Sequence, residues 1–429
     1  MKRGPKLVRA NHIKIAAALV LMALALLLVP GAVPGGTGLG WAEAQEGAPK
    51  GALERTTPEG ASGARVPEPP ETGVQGWALV DADSGLYLVG ESPDEQLQMG
   101  SVTKIMSALV VLKEGTNLDD EVTISKDAES YVGNTYSNVG LIAGERVTVR
   151  DLLVASLVAS GTEAVYALAE HVGGGSVEQF VGMMNAEAAS MGLENTNFET
   201  PAGLDTTANY SSARDLGILA WEALKYPEFA KIVATKDATF STQNRDIEIH
   251  NTNQLLTTYP PATGVKTGTT PQAGANLVAS AKSNDESYIA VVLGAEDSDQ
   301  RFRAAEALLE YAFERYERRP LVRKDEVYGE AALPYRPDES VELAATEDVM
   351  GLVDASSEVE RNVTTQEELP PSASAGEELG KVEVLVDGRR VGESPLVAQE
   401  GYEEASLWQK IRYGVGWLLE SVQGVITGL

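Results

Sequence analysis

The sequence predicts an α/β (α+β) fold in which helices cover a sheet, followed by a small domain that is rich in β-strands. Apolar residues with helical spacing dominate the middle of residues 76–316, and strand-like runs stand at both ends of this region. After about Pro320 the helical periodicity stops, and acidic and proline-rich patches alternate with short strand candidates. Such an order favours a layered domain of sheet and helices.

Local patterns predict the elements of the first domain. Apolar runs on either side of residues 81–85 indicate a hairpin, and two β-branched runs at 275–281 and 288–294 are typical of central strands. Ser212-Ala213-Arg214-Asp215 is a capping box that opens a helix to about Leu224. The remaining predicted helices span 101–112, 150–158, 163–171, 177–191 and 302–316, and strands 237–240 and 247–250 are predicted to pair.

The first 44 residues have the pattern of a secretory signal peptide. Basic residues precede an apolar run at 15–29, Pro30 breaks this run, and Ala42-Glu43-Ala44 provides a site with small residues. An uncleaved anchor helix is the alternative, although the run is short for a full membrane span. Residues 45–72 are rich in Gly, Pro, Glu and Ala, which predicts a disordered linker. The sequence therefore predicts an exported protein.

We expect a layered domain at 73–318, a β-rich C-terminal domain at 320–402 and an amphipathic helix at 403–429. In the β-rich region, residues 380–391 contain an Asp387-Gly388 turn between apolar runs, which indicates a hairpin. The last segment carries an apolar helical stripe with two Trp residues, so we expect it to lie on a membrane surface. The alternative is a helix that packs on its own domain.

Composition excludes several classes of function. The chain has 429 residues and a net charge of −29, which argues against binding nucleic acid. It contains no cysteine, so thiol nucleophiles, disulfides and cysteine metal sites are excluded. Its three histidines form no zinc motif, and we expect neither a metal nor another cofactor. Because neither His171 nor His250 lies in a catalytic motif, we expect both to have structural or surface roles.

The candidate nucleophile is Ser101, which is followed three residues later by Lys104. If Ser101 opens a helix, Lys104 lies one turn further on the same face, and an amine base comes within reach of a hydroxyl. A Ser-x-x-Lys pair is more often a solvated helix pair than a catalytic one. Here, however, the run is strongly apolar, where a merely solvated lysine is less expected.

Two further motifs follow in order, Ser160-Gly161-Thr162 and Lys266-Thr267-Gly268. With Ser101-x-x-Lys104, their order and spacing resemble the penicilloyl-serine transferases, and in particular the low-molecular-mass penicillin-binding proteins, the serine-type D-Ala-D-Ala carboxypeptidases of the peptidase S11 family. The resemblance covers about residues 76–316 and, more weakly, the C-terminal β domain. It implies a β-lactamase/transpeptidase-like domain with helices over an antiparallel sheet. Supporting stretches lie at 101–109, 150–153, 167–171, 203–205, 212–216, 264–268 and 279–282.

The resemblance also implies a role for each motif residue. Ser101 would attack the carbonyl between two terminal D-alanines of a peptidoglycan pentapeptide, and Lys104 would accept its proton. Ser160 would relay this proton to the leaving D-alanine. The substrate-binding residues would be Lys266, Thr267, Gly268, Thr269 and Thr162, with an oxyanion hole formed by the backbone N–H of Ser101 and one near Thr269. No metal takes part, and β-lactams would acylate Ser101.

Thr162 departs from the family pattern, in which the middle motif usually ends in Asn. A hydroxyl can accept a hydrogen bond from Lys104, but it lacks the second arm of an amide. Thr162 thus leaves open a weakly active peptidoglycan-binding protein. A D,D-endopeptidase that cuts cross-links is a further alternative, because it differs only in its leaving group. A β-lactamase is disfavoured, because the class A enzymes need a Glu near a Leu-Asn pair, and this dipeptide is absent. The implied location is extracytoplasmic and membrane-associated.

Overall fold

The computed structural model describes residues 68–131 and 136–427. The predicted signal peptide and all of the predicted linker before Glu68 lie outside the described residues. The rest of that linker, residues 68–72, has no regular secondary structure.

A five-stranded antiparallel sheet forms the centre of the first domain, with the strand order β2-β1-β9-β8-β7. Alternate residues of its inner strands point to opposite faces, as the pleat requires. Ala78, Val80 and Val291 face one apolar core, and Trp77 and Val292 face a second one. The strands are β1 (Gly76–Asp81), β2 (Tyr87–Glu91), β7 (Ala262–Thr270), β8 (Gly274–Ser283) and β9 (Glu286–Ala295).

Helices cover both faces of this sheet, and two small strand pairs lie beside them. The short strands are β3 (Glu121–Thr123), β4 (Arg146–Thr148), β5 (Asp237–Ser241) and β6 (Asp246–His250), and they pair as β3-β4 and β5-β6. The helices are α1 (Lys104–Lys113), α2 (Lys126–Ser130), α3 (Val149–Leu157), α4 (Thr162–Val172), α5 (Val177–Ser190), α6 (Ala213–Leu224), α7 (Pro227–Val233), α8 (Leu255–Thr258) and α9 (Ser298–Arg315). Helix α6 packs on one face, and α9 packs on the other.

Capping decides where several helices begin. The Ser212 hydroxyl accepts a hydrogen bond from the Asp215 amide at 3.2 Å, so the predicted cap of α6 is present. The Asp215 carboxylate does not complete the box but accepts from the Asn195 amide at 2.8 Å. Helix α9 begins at Ser298, earlier than the apolar spacing indicates, because the Asp297 side chain caps the Gln300 amide.

The C-terminal region is built from strands. A five-stranded sheet has the order β11-β12-β16-β15-β14, and β10 pairs with β13. Asp387 and Gly388 have φ angles of +51° and +75°, as expected for the predicted hairpin turn between β15 and β16. The strands are β10 (Glu317–Val322), β11 (Val327–Leu333), β12 (Arg336–Ala345), β13 (Val349–Val353), β14 (Val359–Thr365), β15 (Glu378–Val386) and β16 (Arg389–Ala398).

The last helix, α10 (Leu407–Thr427), begins after the β-rich region. Its first turns present large apolar side chains to solvent, with Leu407 74% and Trp408 80% exposed. Tyr413 makes an edge-to-face ring contact with Tyr335 of the β-rich region. Among the described residues, no helix has the length and apolarity needed to cross a membrane.

Candidate active site

The candidate nucleophile lies on a tight turn rather than inside a helix. Residues Gly100–Thr103 form a 3₁₀ turn, and α1 begins only at Lys104. Gly100 has a φ of +56°, which a residue with a side chain adopts at a cost. The turn places the Lys104 Nζ atom 2.9 Å from the Ser101 Oγ atom. The predicted Ser101–Lys104 contact is therefore present, and its reach comes from the turn as well as from α1.

Lys104 is a buried amine. Its side chain is 1% exposed, and its Nζ also donates a hydrogen bond to the Ala202 carbonyl at 3.1 Å. Burial lowers the pKa of Lys104 to about 7, and the negative charge of Glu163 opposes this decrease. An amine with such a pKa is partly neutral near pH 7 and can accept a proton there.

Lys266 is the second buried lysine, and it lies on β7. It is 1% exposed, and its Nζ donates to the Thr267 carbonyl at 3.1 Å. Burial holds the pKa of Lys266 well below its ordinary value, and the positive charges of Lys104 and Arg301 lower it further. The two lysines therefore lie within electrostatic range of each other, as the three motifs predict.

The end of β7 lies against the nucleophile turn. A Cβ atom at Gly268 would lie 3.1 Å from the Ser101 amide nitrogen and 3.0 Å from that of Val102, which is closer than Cβ atoms normally approach. A Cβ atom at Gly100 would lie 3.2 Å from the amide nitrogen of Thr269. Glycine at position 268 therefore permits the close backbone approach between the strand and Ser101.

Sequence reasoning missed Arg301, which α9 brings to the same place. Arg301 is 7% exposed, and its Nη1 atom donates to the Thr269 hydroxyl at 2.7 Å and to the Gly268 carbonyl at 3.3 Å. Its Nη2 atom donates to the Ser298 hydroxyl at 2.9 Å. Helical spacing could have revealed it, because Arg301 falls on the same buried stripe of α9 as Ala305 and Leu308.

Ser160 and Thr162 lie in the turn that opens α4. Ser160 has a φ of +64° and is 3% exposed. A left-handed conformation in a residue other than glycine costs about 1–2 kcal/mol, and such strain is often found at functional sites. Thr162 is the first residue of α4 and is 1% exposed, and its amide donates to the Ser137 carbonyl at 3.0 Å. Both residues are therefore fixed by the turn before α4.

The substrate-binding candidates on β7 differ in exposure. Thr267 is 5% exposed, and its hydroxyl lies 2.6 Å from that of Thr252, whereas Thr269 is exposed. The two histidines that the chemistry does not need, His171 and His250, are also exposed, and His250 pairs with Asp237 of the neighbouring strand. The candidate site thus contains a hydroxyl, a partly neutral amine and two further cations, which suits acyl transfer to a serine.

Comparison with known proteins identifies the family. A family model described as D-alanyl-D-alanine carboxypeptidase matches residues 64–297. The chain belongs to this family. A second model, described as the C-terminal domain of penicillin-binding protein 5, matches residues 316–404. The predicted enzyme class, a serine-type D-alanyl-D-alanine carboxypeptidase, is thereby confirmed at the level of the family.

Relatives in the family are similar over most of their length. The D-alanyl-D-alanine carboxypeptidase DacF of Bacillus subtilis is 33% identical over 335 residues, 76% of this chain and 85% of the relative. The crystal structure of penicillin-binding protein 5 from Haemophilus influenzae has a TM-score of 0.62 at 34% identity, and the match covers 78% of this chain and 99% of that one. The DD-transpeptidase of Streptomyces K15 has a TM-score of 0.55 at 38% identity, covering 58% of this chain and 99% of that one. These structures confirm the predicted fold class.

Proposed function

We propose that this chain is an exported serine carboxypeptidase that removes the terminal D-alanine from peptidoglycan pentapeptides through an acyl-enzyme on Ser101. The observation that carries this proposal is the 2.9 Å contact between the Ser101 hydroxyl and the Lys104 amine. The lowered pKa of Lys104, about 7, supports a base that works near neutral pH.

The reaction has two halves. In the first, the Ser101 Oγ atom bonds to the carbonyl carbon of the penultimate D-alanine while its proton passes to the Lys104 Nζ atom. The C–N bond then breaks, the proton passes through the Ser160 hydroxyl to the leaving amine, and free D-alanine departs. In the second half, water attacks the ester carbonyl and gives up a proton to Lys104. The C–O bond to the Ser101 Oγ atom then breaks, Oγ takes the proton back from Lys104, and the shortened peptide leaves.

Cations at the end of β7 would hold the terminal carboxylate of the substrate. We assign this role to Lys266, with the hydroxyls of Thr267 and Thr269 and with Arg301 behind them. A carboxylate that binds here brings a counter-charge next to Lys266, so the pKa of Lys266 rises again from its lowered value. A protonated Lys266 then disfavours a second proton on Lys104, which keeps the base neutral when substrate is present.

The backbone would stabilise the oxyanion. We propose the N–H groups of Ser101 and Thr269 as the donors, because Gly268 permits β7 to lie against the Ser101 turn. β-Lactams present a carbonyl and a carboxylate to the same groups, so we expect them to acylate Ser101.

The location and domain organisation are part of the proposal. We propose residues 1–44 as a signal peptide, 45–72 as a linker, 73–318 as the catalytic domain and 320–402 as the C-terminal domain. We further propose that 403–429 lies on the extracytoplasmic surface of the membrane, because Leu407 and Trp408 are mostly exposed to solvent. Co-sedimentation of the full chain with lipid vesicles tests this, and equal sedimentation of a Trp408→Glu variant would contradict it.

A second reaction shares the same chemistry. A D,D-endopeptidase differs only in its leaving group, and the relative from Streptomyces K15 is named as a DD-transpeptidase. In a transpeptidation, an amine takes the place of water as the acceptor of the acyl group. Product analysis with a pentapeptide, a cross-linked dimer and an added amine acceptor distinguishes the three. The weakly active alternative depends on Thr162.

The deciding experiment measures D-alanine release from a pentapeptide, with penicillin as a blocker. We expect release by the wild-type chain, none by Ser101→Ala, and covalent labelling by a fluorescent penicillin in the wild type alone. Labelling of both chains would overturn the assignment of Ser101, and a correctly folded wild type that releases no D-alanine would overturn the proposed activity.

A further inference from the structure

Glu163 is a buried carboxylate that the proposed reaction does not use. It directly follows Thr162 in the first turn of α4, and it is 0% exposed. Acidic residues favour the first turn of a helix, so this position alone has an ordinary structural explanation. Complete burial of a carboxylate does not, because a buried charge is costly unless it is paired or hydrogen-bonded.

The two oxygens of Glu163 have different surroundings. Oε1 accepts hydrogen bonds from the Val139 amide at 2.8 Å and from the Leu141 amide at 3.2 Å. Oε2 is buried and has no hydrogen-bond partner among the residues that the structure describes. One half of the carboxylate therefore holds the chain at 139–141, and the other half is left for a longer-range interaction.

Lys104 supplies the charge for that interaction. Helices α1 and α4 pack against each other, with Lys104 and Glu163 in their respective first turns. Lys104 also lies within electrostatic range of Lys266 on β7, whose pKa the charges of Lys104 and Arg301 both lower. Lys104 also meets the Ser101 hydroxyl and the Ala202 carbonyl, neither of which carries a charge. A buried ammonium ion beside a second lysine needs a counter-charge, and in a water-poor interior a carboxylate supplies it without direct contact. Glu163 is close enough for its negative charge to favour the charged form of Lys104.

We propose that Glu163 is the counter-ion of the general base: its carboxylate stabilises the Lys104 ammonium that forms when Ser101 loses its proton. The proton moves from the Ser101 Oγ atom to the Lys104 Nζ atom, and Glu163 keeps its own charge throughout. Glu163 is thus a positioning residue that acts through Lys104, much as a triad carboxylate stabilises an imidazolium without taking the proton. This inference rests on the proposed function.

The test compares side chains that match in size and differ in charge. Glu163→Gln keeps an oxygen for the Val139 and Leu141 amides and removes the charge. We measure the rate of acylation by a fluorescent penicillin as a function of pH. The acid limb of this profile reports the loss of the neutral Lys104. Without the carboxylate the Lys104 ammonium is less stable, so we expect the midpoint to move to lower pH by about one unit or more. The plateau rate should fall about tenfold, because the base is weaker.

Three controls separate charge from structure. Glu163→Asp keeps the charge and should keep the midpoint near that of the wild type, even if its plateau is lower. Glu163→Asn matches Glu163→Asp in size without the charge, so its midpoint should move to lower pH as that of Glu163→Gln does. Asp215→Asn removes a different carboxylate, 4% exposed, that also holds a backbone amide, and it should leave the midpoint in place.

Each outcome decides the matter. A folded Glu163→Gln with the wild-type midpoint overturns the inference, and if that variant is unfolded by circular dichroism, the Asp and Asn pair makes the same comparison. If both amides fail to fold while Asp folds, the charge serves the fold and not the reaction, which also overturns it. A wild-type chain that is never acylated overturns the proposed function instead, so the two failures are distinguishable.

Discussion

Two groups of charges in this molecule differ in almost every physical respect. The buried cluster of Lys104, Lys266, Arg301 and Glu163 has residues that are 0–7% exposed. On β15 and β16, an exposed ladder joins Lys381 to Glu393 at 2.8 Å and Arg390 to Glu383 at 2.6 Å, with side chains 33–53% exposed. The ladder has an acid for each base, whereas the cluster has three cations and one acid.

The difference shows what each group does. Exposed pairs are screened by water and salt, so their net contribution to stability is small. Burial lowers the pKa values of Lys104 and Lys266, and the positive charges of Lys104 and Arg301 lower that of Lys266 further. The cluster thus gives up stability in exchange for a lysine that is partly neutral near pH 7. Substitutions in each group, and of an ion pair of intermediate burial, test this contrast. They are given from the largest expected effect to the smallest.

Lys104→Met should have opposite effects on activity and stability. It removes the base, so we expect acylation by penicillin to fall at least about a hundredfold. It also removes a buried amine whose pKa is about 7 in the folded chain and about 10.4 when unfolded. The unfolded chain therefore binds the proton more tightly. The buried lysine destabilises the wild-type fold fully below pH 7, and this destabilisation disappears as the pH rises toward 10. The substitution also leaves Glu163 without its counter-charge at either pH, so the comparison is made between two pH values. Relative to the wild type, we expect the free energy of unfolding of the variant to be several kcal/mol higher at pH 7 than at pH 10, measured by urea denaturation. The same difference at both pH values would contradict the contrast.

Arg318→Met tests an ion pair of intermediate burial at the start of β10. The Arg318 Nη2 atom lies 2.7 Å from Asp81, whose side chain is 2% exposed, so the change leaves a buried carboxylate without its cation. We expect a loss of about 3 kcal/mol in the free energy of unfolding, with acylation of Ser101 retained. An unchanged urea midpoint would show that Asp81 is satisfied by the Ser84 hydroxyl and amide alone.

Thr162→Asn tests how much the orientation of groups beside the buried cluster matters when their charge is unchanged. Thr162 lies two residues after Ser160, directly precedes Glu163 and is 1% exposed, so an amide here alters the orientation of groups but not their charge. One hydrogen bond is worth about 1 kcal/mol, so kcat/KM for D-alanine release should change by less than about tenfold. A gain of a hundredfold would favour the weakly active alternative.

Lys381→Met should have the smallest effect. The side chain of its partner Glu393 is 39% exposed and also accepts from Arg390 at 2.7 Å, so solvent and a second base replace the lost charge. We expect the urea midpoint and the acylation rate to match those of the wild type. A clear loss of stability would show that the ladder is more than a solvated surface.

Local sequence patterns predict much of this structure. Periodicity and turn residues identify the sheet strands, most helices and the Asp387-Gly388 hairpin, because these depend on neighbours along the chain. The three motifs predict Ser101 with Lys104 and Lys266. Short helix α2 and the 3₁₀ turn at Gly100 were not predicted, since a few residues carry too little periodicity.

Arg301 and Glu163 were missed for a different reason. Each acts on residues far away in the sequence: Arg301 contacts Thr269, 32 positions earlier, and Glu163 contacts Val139, 24 positions earlier. Arg301 stands in a helix with alternating charge, and Glu163 stands in the first turn of a helix, where acidic residues are common. Only their burial distinguishes them, and burial results from the packing of α4 and α9 against the rest of the domain.

The backbone at Gly268 limits how such an enzyme can escape antibiotics. Any side chain at this position would press on the amides of Ser101 and Val102, 3.0–3.1 Å from its Cβ atom. If Ser101 is the nucleophile, as we propose, a substitution that bars β-lactams here would also displace it from its natural substrate. Drug resistance that preserves cell-wall trimming would then have to arise at other residues, or from faster hydrolysis of the drug adduct.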